Sequence, residues 1–409
     1  MSTSAATSEG AGIPEDAALT ATDEPRVGPH RWIDQQADLD RVIDELVDEP
    51  AYAIDTEFHR ERTYFPALAL VQLAWGDELV LVDPLAVDVS VLTRLFESNS
   101  QAVFHAAQQD LDVLAHAVGA IPREFFDTQV AGGFLGYGTP SLVAILNGEL
   151  GVNPPKGDRL TDWLRRPLTP AQREYAASDV AYLLELRSML LTQLAELGRI
   201  EWVEEACEEL RQRPASGTNP QEAWTRLKDV RGLRPRARAV AQSVAAWRER
   251  TAMKRNVPVR QVLPDLAVLG IAQRQPTNEK ELSQARGVDE RFSRGKPAVE
   301  ILAAVAEGKL ADPPDARPGG DDLERDLRPA VTLVSAWVSQ VARTERIDAS
   351  ILATRSDLVA FLAHDPEARL NHGWRAELLG EGLKRLVEGR AALTFERGDG
   401  LRLVDVDPV

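Results

Sequence analysis

The sequence contains a single cysteine, Cys207, among its 409 residues. One cysteine cannot form an intramolecular disulfide, and it excludes a zinc site built from two or more cysteines. The chain has no uninterrupted apolar run near the roughly 18 residues that a membrane-spanning helix needs. Residues 1–27 lack the apolar segment of a secretion signal, so we interpret them as a disordered tail. These features predict a cytoplasmic protein without a membrane anchor.

Positive charge is scarce overall and unevenly distributed. The chain has 47 Lys/Arg against 64 Asp/Glu, a net charge of −17, which at first argues against a nucleic-acid partner. Residues 221–309, however, contain 18 Lys/Arg and 10 Asp/Glu, so this segment carries +8 and the remainder −25. Such asymmetry indicates one module that binds an anionic polymer. A well-solvated basic helical surface is the alternative that charge alone leaves open.

Length and composition predict more than one domain. The chain exceeds the about 100–200 residues of a usual domain, and its 44% of apolar residues suffices for packed cores. We predict an α/β domain at 28–215, a helical domain at 219–309, a linker at 311–323 rich in Pro, Gly and Asp, and a C-terminal helical domain at 324–409.

Apolar periodicity predicts the elements of the α/β domain. The expected strands are Tyr52–Phe58, Ala67–Trp75, Leu79–Val82 and Val103–His105, the second and third joined as a hairpin. The expected helices are Gln108–Val118, Thr128–Leu135, Leu142–Leu150 and Pro170–Leu197. A further hairpin is expected near the C-terminus, around residues 398–400.

Two acids lie two positions apart on the first predicted strand. Alternation along a strand sends the side chains of Asp55 and Glu57 to one face, while Ile54 and Thr56 point to the other. Paired carboxylates repel each other and tolerate burial poorly, and a bound divalent cation relieves both problems. A solvent-facing strand is the alternative, which this pair alone would favour.

Two more acids lie at predicted helices. Asp110 is found where a short strand gives way to a helix, a place where α/β sheets often build sites. Tyr175 and Asp179 are four residues apart and share a helical face, so the hydroxyl could orient a water molecule beside the carboxylate. Each of these residues also has a structural explanation. Asp110 could be an acid in the first turn of a helix, where it favours the helix dipole. Tyr175 could be a packing residue and Asp179 a surface acid.

Together these residues resemble the signature of the DEDD exonuclease superfamily, namely Asp55-x-Glu57, Asp110 and Tyr175-x-x-x-Asp179. The tyrosine-containing branch fits, because Glu174 stands where the other branch has histidine. The surrounding segments resemble the ribonuclease D family: IDTEFHRERTYFPALALVQLA, VFHAAQQDLDVL, FDTQVAGGFLGYG and TDWLRRPLTPAQREYAASDVAYL. The resemblance implies an α/β, ribonuclease H-like exonuclease domain with a mixed sheet and helices, followed by one or two all-helical HRDC-type domains.

The same resemblance implies a metal-dependent 3′–5′ exoribonuclease. It assigns the four acids to two divalent ions and Tyr175 to positioning the attacking water. Oxygen ligands suit Mg²⁺ or Mn²⁺, and the absence of a Cys/His cluster disfavours zinc. The implied substrate is RNA with a free 3′ end, including tRNA precursors and other structured RNA. Candidate substrate contacts, each also compatible with a packing or structural role, are Phe58, Gln72, His105, Gln108 and Trp163.

Residues 219–309 resemble the HRDC module in the segments AWTRLKDVRGL and LPDLAVLGIAQRQPTNEKELSQARGV. Because they coincide with the basic segment, we expect this module to be the RNA-binding surface, although some such modules bind proteins. The C-terminal domain more weakly resembles a diverged second copy. We expect the chain up to Arg213 to fold without the rest and to bind RNA more weakly.

Two competing hypotheses remain from the sequence: a 3′–5′ DNA exonuclease and a non-catalytic nucleic-acid-binding scaffold. DNA-proofreading exonucleases share the acids, and HRDC modules accompany both DNA helicases and ribonucleases. The combination of nuclease and HRDC segments without a polymerase or helicase favours RNA. A scaffold is disfavoured because all four acids and the tyrosine are present. A third possibility, a hydrolase of small nucleotides, would leave the basic module without a clear purpose.

Overall fold

The structure is a computed structural model that describes residues 28–155, 161–213, 219–314 and 320–406. The predicted tail at 1–27 lies outside these residues. A six-stranded mixed sheet forms the centre of the first domain, in the order β1-β4-β3-β2-β5-β6. Its strands are β1 Arg31–Ile33, β2 Ala51–His59, β3 Ala67–Trp75, β4 Glu78–Val82, β5 Gln101–Phe104 and β6 Phe125–Asp127.

The sheet is antiparallel in the middle and parallel at both sides. β3 pairs antiparallel with β2 and β4, while β1 runs parallel to β4 and β5 runs parallel to β2 and β6. Helices surround this sheet: α1 Gln36–Leu46, α2 Leu92–Phe96, α3 Gln108–Ala117, α4 Thr128–Gly133, α5 Leu142–Leu150, α6 Pro170–Val180, α7 Leu183–Glu196 and α8 Ile200–Arg211.

The predicted strands and their hairpin are confirmed, and β3 matches its prediction at both ends. The single helix predicted at Pro170–Leu197 is wrong, since Ala181 and Tyr182 separate α6 from α7. α6 packs on β2, β3 and β4, whereas α7 packs on β2, β5 and α4, and the break lets each helix meet its own partners. Five elements of this domain were not predicted: β1, α1, α2, β6 and α8.

The second domain is helical and has a hydrophobic core of its own, built around Trp224, Val240, Val244, Leu263 and Ile301. A 3-10 helix at Pro220–Arg226 precedes its α-helices. They are α9 Pro235–Arg255, α10 Val259–Val262, α11 Asp265–Arg274, α12 Glu279–Leu282, α13 Glu290–Ser293 and α14 Gly295–Leu310.

The C-terminal segment contains helices and the expected hairpin. Its first helix begins at Gly320, inside the linker predicted at 311–323, so the helical part starts earlier than expected. A π-helical turn at Ala376–Gly380 connects its last two helices. The elements are α15 Gly320–Glu345, α16 Ala349–Leu352, α17 Arg355–Leu362, α18 Gly373–Arg375, α19 Glu381–Val387, β7 Ala391–Glu396 and β8 Gly400–Asp405.

This C-terminal segment shares one hydrophobic core with the first domain. Trp374 stacks on Trp202 of α8 at 5.3 Å between ring centroids and meets Phe134 edge-on at 5.0 Å. The guanidinium of Arg375 is paired with Glu209 of α8 at 2.6 Å. Removing everything after Arg213 would expose this apolar surface, so the expectation that the first 213 residues fold alone is corrected.

None of the described helices combines the length and the apolar character that crossing a lipid bilayer requires.

Candidate active site

Three carboxylates from two elements meet at the centre of the sheet. Asp55 and Glu57 share one face of β2, as predicted, and Asp179 lies near the end of α6, which packs on β2. One ligand oxygen from each of the three lies within 4.8 Å of the other two. A single bound cation could therefore contact all three side chains.

α6 is positioned by a strong N-terminal signal. The Thr169 side chain accepts a hydrogen bond from the backbone N–H of Gln172, whose side chain in turn accepts one from the backbone N–H of Thr169. Pro170 occupies the first helical position, where its missing N–H has no cost. This capping box fixes where the helix begins, and so which residues of the helix face β2.

The fourth predicted acid, Asp110, lies in the first turn of α3 and is only 6% exposed. The hydroxyl of Thr56 donates to Oδ1 of Asp110 at 2.5 Å. Asp110 is outside the group of three defined by the 4.8 Å distance, yet its charge contributes to the raised pKa of Asp55 and Glu57. Side-chain alternation predicts Thr56 on the face of β2 opposite Asp55 and Glu57, so a role for Thr56 in the site was not expected.

Burial and mutual repulsion raise the pKa of every acid in this cluster. Burial is the main cause for Asp55, whose pKa lies well above its usual range, with the charges of Asp110, Asp179 and Glu57 adding to it. Burial and the neighbouring acids raise the pKa of Glu57 to about 8. Burial also raises the pKa of Asp110 and of Asp179 to about 7. Such a cluster favours a cation or bound protons.

Tyr175 lies one helical turn before Asp179 on α6, and the proximity of its hydroxyl lowers the pKa of that carboxyl group, against the larger effect of burial. Burial and the charges of Asp179, Glu57 and Asp55 raise the pKa of the Tyr175 hydroxyl well above its usual value. The ring of Trp163 stacks on the Tyr175 ring, with 6.2 Å between centroids and planes 30° apart. The two rings border a cavity of about 740 Å³, whose other lining residues lie between Thr161 and Gln172.

The structure gives two of the predicted substrate contacts, Gln72 and His105, structural partners. Gln72 is fully buried, pairs with Asp55 across β2 and β3, and donates to its carboxylate at 3.4 Å. Both ring nitrogens of His105 are engaged, by the Thr128 hydroxyl at 2.9 Å and the Pro140 carbonyl at 3.1 Å. These positions argue against direct substrate contact by Gln72 and His105, although Gln72 supports the site through Asp55.

The other candidates are more accessible or closer to the cavity. Gln108 accepts a hydrogen bond from Arg213 at 2.8 Å at the surface. Phe58 is half-buried under the Arg60 guanidinium, 5.0 Å from the ring centroid. Trp163 is 6% exposed and lines the cavity together with Tyr175. Substrate contact by these three side chains stays a prediction.

Sequence reasoning missed two residues that hold the site in place. Asp127 accepts hydrogen bonds from the backbone N–H groups of Ala106 and Ala107 at 3.0 and 2.8 Å, and so fixes the turn that begins α3. Ala106 has a φ of +64°, a conformation that a non-glycine residue adopts only when its surroundings hold it there. Asp127 lies in the segment FDTQVAGG, which resembles the ribonuclease D family. The sequence does not show that its side chain binds the backbone at Ala106 and Ala107.

Arg166 is the second residue that was missed. Its guanidinium binds both oxygens of Asp83, at 2.6 and 2.7 Å, and donates to the Trp163 carbonyl at 2.7 Å. This bidentate pair holds the segment that carries Trp163 against the sheet, and through the ring stack it orients Tyr175.

Two family models and several known proteins are similar to this chain. A family model described as 3′–5′ exonuclease matches residues 30–195, and the HRDC domain model matches residues 237–305. Ribonuclease D of Nitrobacter hamburgensis is 38% identical over 90% of this chain and 97% of its own length. Ribonuclease D of Gluconacetobacter diazotrophicus is 35% identical over 96% and 97%, respectively.

The fold also matches a solved structure, that of Escherichia coli RNase D, described as an exoribonuclease involved in structured RNA processing. The match has a TM-score of 0.79 and 29% sequence identity, and it covers 88% of this chain and 99% of that one. Sequence identity, domain content and fold thus agree over almost the whole chain. The chain belongs to the ribonuclease D family of 3′–5′ exoribonucleases.

Proposed function

We propose that this chain removes nucleotides from the free 3′ end of structured RNA, with tRNA precursors among its substrates, by metal-dependent phosphodiester hydrolysis. The observation that carries the proposal is the carboxylate cluster of Asp55, Glu57 and Asp179, whose oxygens lie within 4.8 Å of one another. The matched relatives named ribonuclease D support RNA as the substrate. The single cysteine of the chain is compatible with a cytoplasmic location.

The donor set fits divalent cations. It consists of carboxylate oxygens alone, which are the ligands that Mg²⁺ and Mn²⁺ prefer. Among the described residues, no Lys, Arg or His forms an ion pair with Asp55, Glu57, Asp110 or Asp179. Cations would relieve the repulsion that raises the pKa of these groups. We therefore assign the four acids to two divalent ions.

Divalent ions bound there would supply an activated water and neutralise charge on the phosphate. The protein's own contribution is to place the reacting groups. The four acids hold their positions through Thr56, Gln72 and the β2–α6 packing. The ordinary pKa of a tyrosine hydroxyl is near 10, so the Tyr175 hydroxyl keeps its proton at neutral pH. We therefore assign it to orienting the attacking water and not to removing a proton from it.

The test is incubation of the purified chain with 5′-labelled RNA and a DNA of the same sequence, with Mg²⁺, with Mn²⁺ or with a chelator. We expect RNA to shorten progressively from the 3′ end, only when a metal ion is present. Asp55→Asn is the control for contaminating nucleases, because it removes one unit of ligand charge from the cluster. Faster degradation of the DNA would favour a DNA exonuclease, and undiminished activity of Asp55→Asn would refute the site.

A further inference from the structure

A basic groove lies on the helical domain, away from the carboxylate cluster. It has a volume of about 720 Å³ and lies between the second half of α9 and the helices α13 and α14. The residues that carry the argument are Trp247, Arg250, Lys254, Arg255, Phe292 and Lys296. We call it the α9–α14 groove.

Charge in the α9–α14 groove favours an anion. Its lining contains four basic side chains and two acidic ones, Glu300 and Glu307. Arg250, Lys254 and Arg255 are exposed, and none of the three forms an ion pair with another described residue. These cations are therefore available to phosphates, and each phosphate contact releases a counterion.

The groove also has an aromatic wall. The half-buried ring of Trp247 and the buried ring of Phe292 line it. The Trp247 indole N–H donates to Glu300 at 3.1 Å, and Lys296 lies 3.9 Å from the same carboxylate, so the charge of Glu300 is partly balanced. Cations beside aromatic rings are the combination that binds single-stranded nucleic acid without sequence preference.

The end of α9 connects the groove to the nuclease domain. Immediately after Arg255, the side-chain oxygen of Asn256 accepts hydrogen bonds from the backbone N–H groups of Tyr64 and Phe65, both at 3.1 Å. The Tyr64 hydroxyl also donates to Glu249 of α9 at 2.6 Å. Tyr64 and Phe65 belong to the loop that directly follows β2, the strand of the two paired acids. Arg255, which lines the groove, is thus followed immediately by the residue that is bonded to the segment leaving the catalytic strand.

We propose that the α9–α14 groove holds the single-stranded segment of RNA that lies on the 5′ side of the nucleotide being removed. The inference rests on the proposed function, since it requires an RNA whose 3′ end is at the carboxylate cluster. The phosphates lie along Arg250, Lys254 and Arg255, and bases meet the Trp247 face. Nucleotides beyond the first few are therefore held by the helical domain.

The test uses the full chain with Arg250→Ala and Lys254→Ala combined. Because both side chains are exposed, the variant should keep its melting temperature. The matched control combines Lys280→Ala and Arg286→Ala, two exposed cations of the same domain outside the groove. The probes are two fluorescein-labelled oligouridylates, a long one of roughly 20 nucleotides and a short one of about 4 nucleotides. Their binding affinities are measured in the presence of a chelator at several salt concentrations.

A plot of log affinity against log salt has a negative slope. For the long oligomer, we expect this slope to be shallower by about 1.4 in the groove variant, at about 0.7 for each of two lost phosphate contacts. The groove variant should also lose most of the affinity advantage of the long oligomer over the short one. The control should match the wild type in both measurements. Equal slopes in the groove variant and the wild type would overturn the inference.

Degradation is measured separately, so the two proposals can fail independently. If the wild type shortens the long oligomer with Mn²⁺ but the groove variant has an unchanged KM, the nuclease assignment stands and the groove assignment is overturned. A wild type that binds the oligomer through the groove yet never shortens it would refute the proposed function. A rise in KM confined to the groove variant supports both.

Discussion

The hydroxyl of Thr56 donates a hydrogen bond to Oδ1 of Asp110 at 2.5 Å, across 54 positions of sequence. Asp110 is 6% exposed, so this donor offsets part of the penalty for burying its carboxylate and fixes its orientation. The bond explains why an acid at the start of α3 lies beside the acids of β2.

Thr56→Val should keep the shape of the side chain and remove the donor. We expect activity to fall by about 10- to 100-fold, the usual effect of losing a group that orients a metal ligand. Thr56→Ser is the matched control, because it retains the hydroxyl. The measurement is the rate of 3′ shortening of labelled RNA with Mn²⁺. Equal rates for Val and Ser would show that the bond is not needed to place Asp110.

Tyr175→Phe should lower kcat by about 100-fold while leaving metal binding intact. The phenyl ring preserves the stack on Trp163, and the variant loses only the hydroxyl, which lies one helical turn from Asp179. The readouts are single-turnover kinetics and the rise in melting temperature on adding Mn²⁺. If kcat were unchanged, Tyr175 would be a packing residue. If the metal-induced rise disappeared, its main role would be to hold Asp179.

Asn256→Gly should loosen the loop after β2 from the helical domain. Asn256 has a φ of +47°, which glycine adopts freely, so the substitution removes the acceptor without backbone strain. Losing a hydrogen bond worth about 1 kcal/mol should speed amide exchange at Tyr64 and Phe65 by about 5-fold. Asn256→Asp keeps the acceptor oxygen and is the control. Hydrogen-exchange mass spectrometry that finds the same protection in both variants would contradict this role.

Trp374→Ala should destabilise the nuclease domain although the residue lies near the C-terminus. Trp374 is 2% exposed and packs on Trp202 and Phe134, so we expect a loss of about 3–5 kcal/mol in the free energy of unfolding. Phe395→Ala is the matched control, because that ring is 74% exposed. The free energy of unfolding is measured by urea unfolding. A decrease of less than about 1 kcal/mol for Trp374→Ala would indicate that the C-terminal segment does not share the core.

Local pattern was sufficient for much of the nuclease fold. The nine-residue apolar run Ala67–Trp75 is bounded by Pro66 and Gly76, and it forms β3 with the predicted ends. Thr169 followed by Pro170 marked the start of α6 correctly. The helix break at Ala181 and Tyr182 was missed because neither glycine nor proline occurs there. It arises because α6 packs on β3 and β4 as well as β2, whereas α7 packs on β2, β5 and α4.

The sequence by itself determined the chemistry of the candidate site. Side-chain alternation sets Asp55 and Glu57 on one face of a strand, and helical periodicity sets Tyr175 one turn from Asp179, because both rules depend only on nearby residues. Only the tertiary structure decided which distant residues support them. Thr56 meets Asp110 across two elements, and the C-terminal helices complete the nuclease core. Such contacts depend on how elements pack, and the periodicity of a single segment does not encode that arrangement.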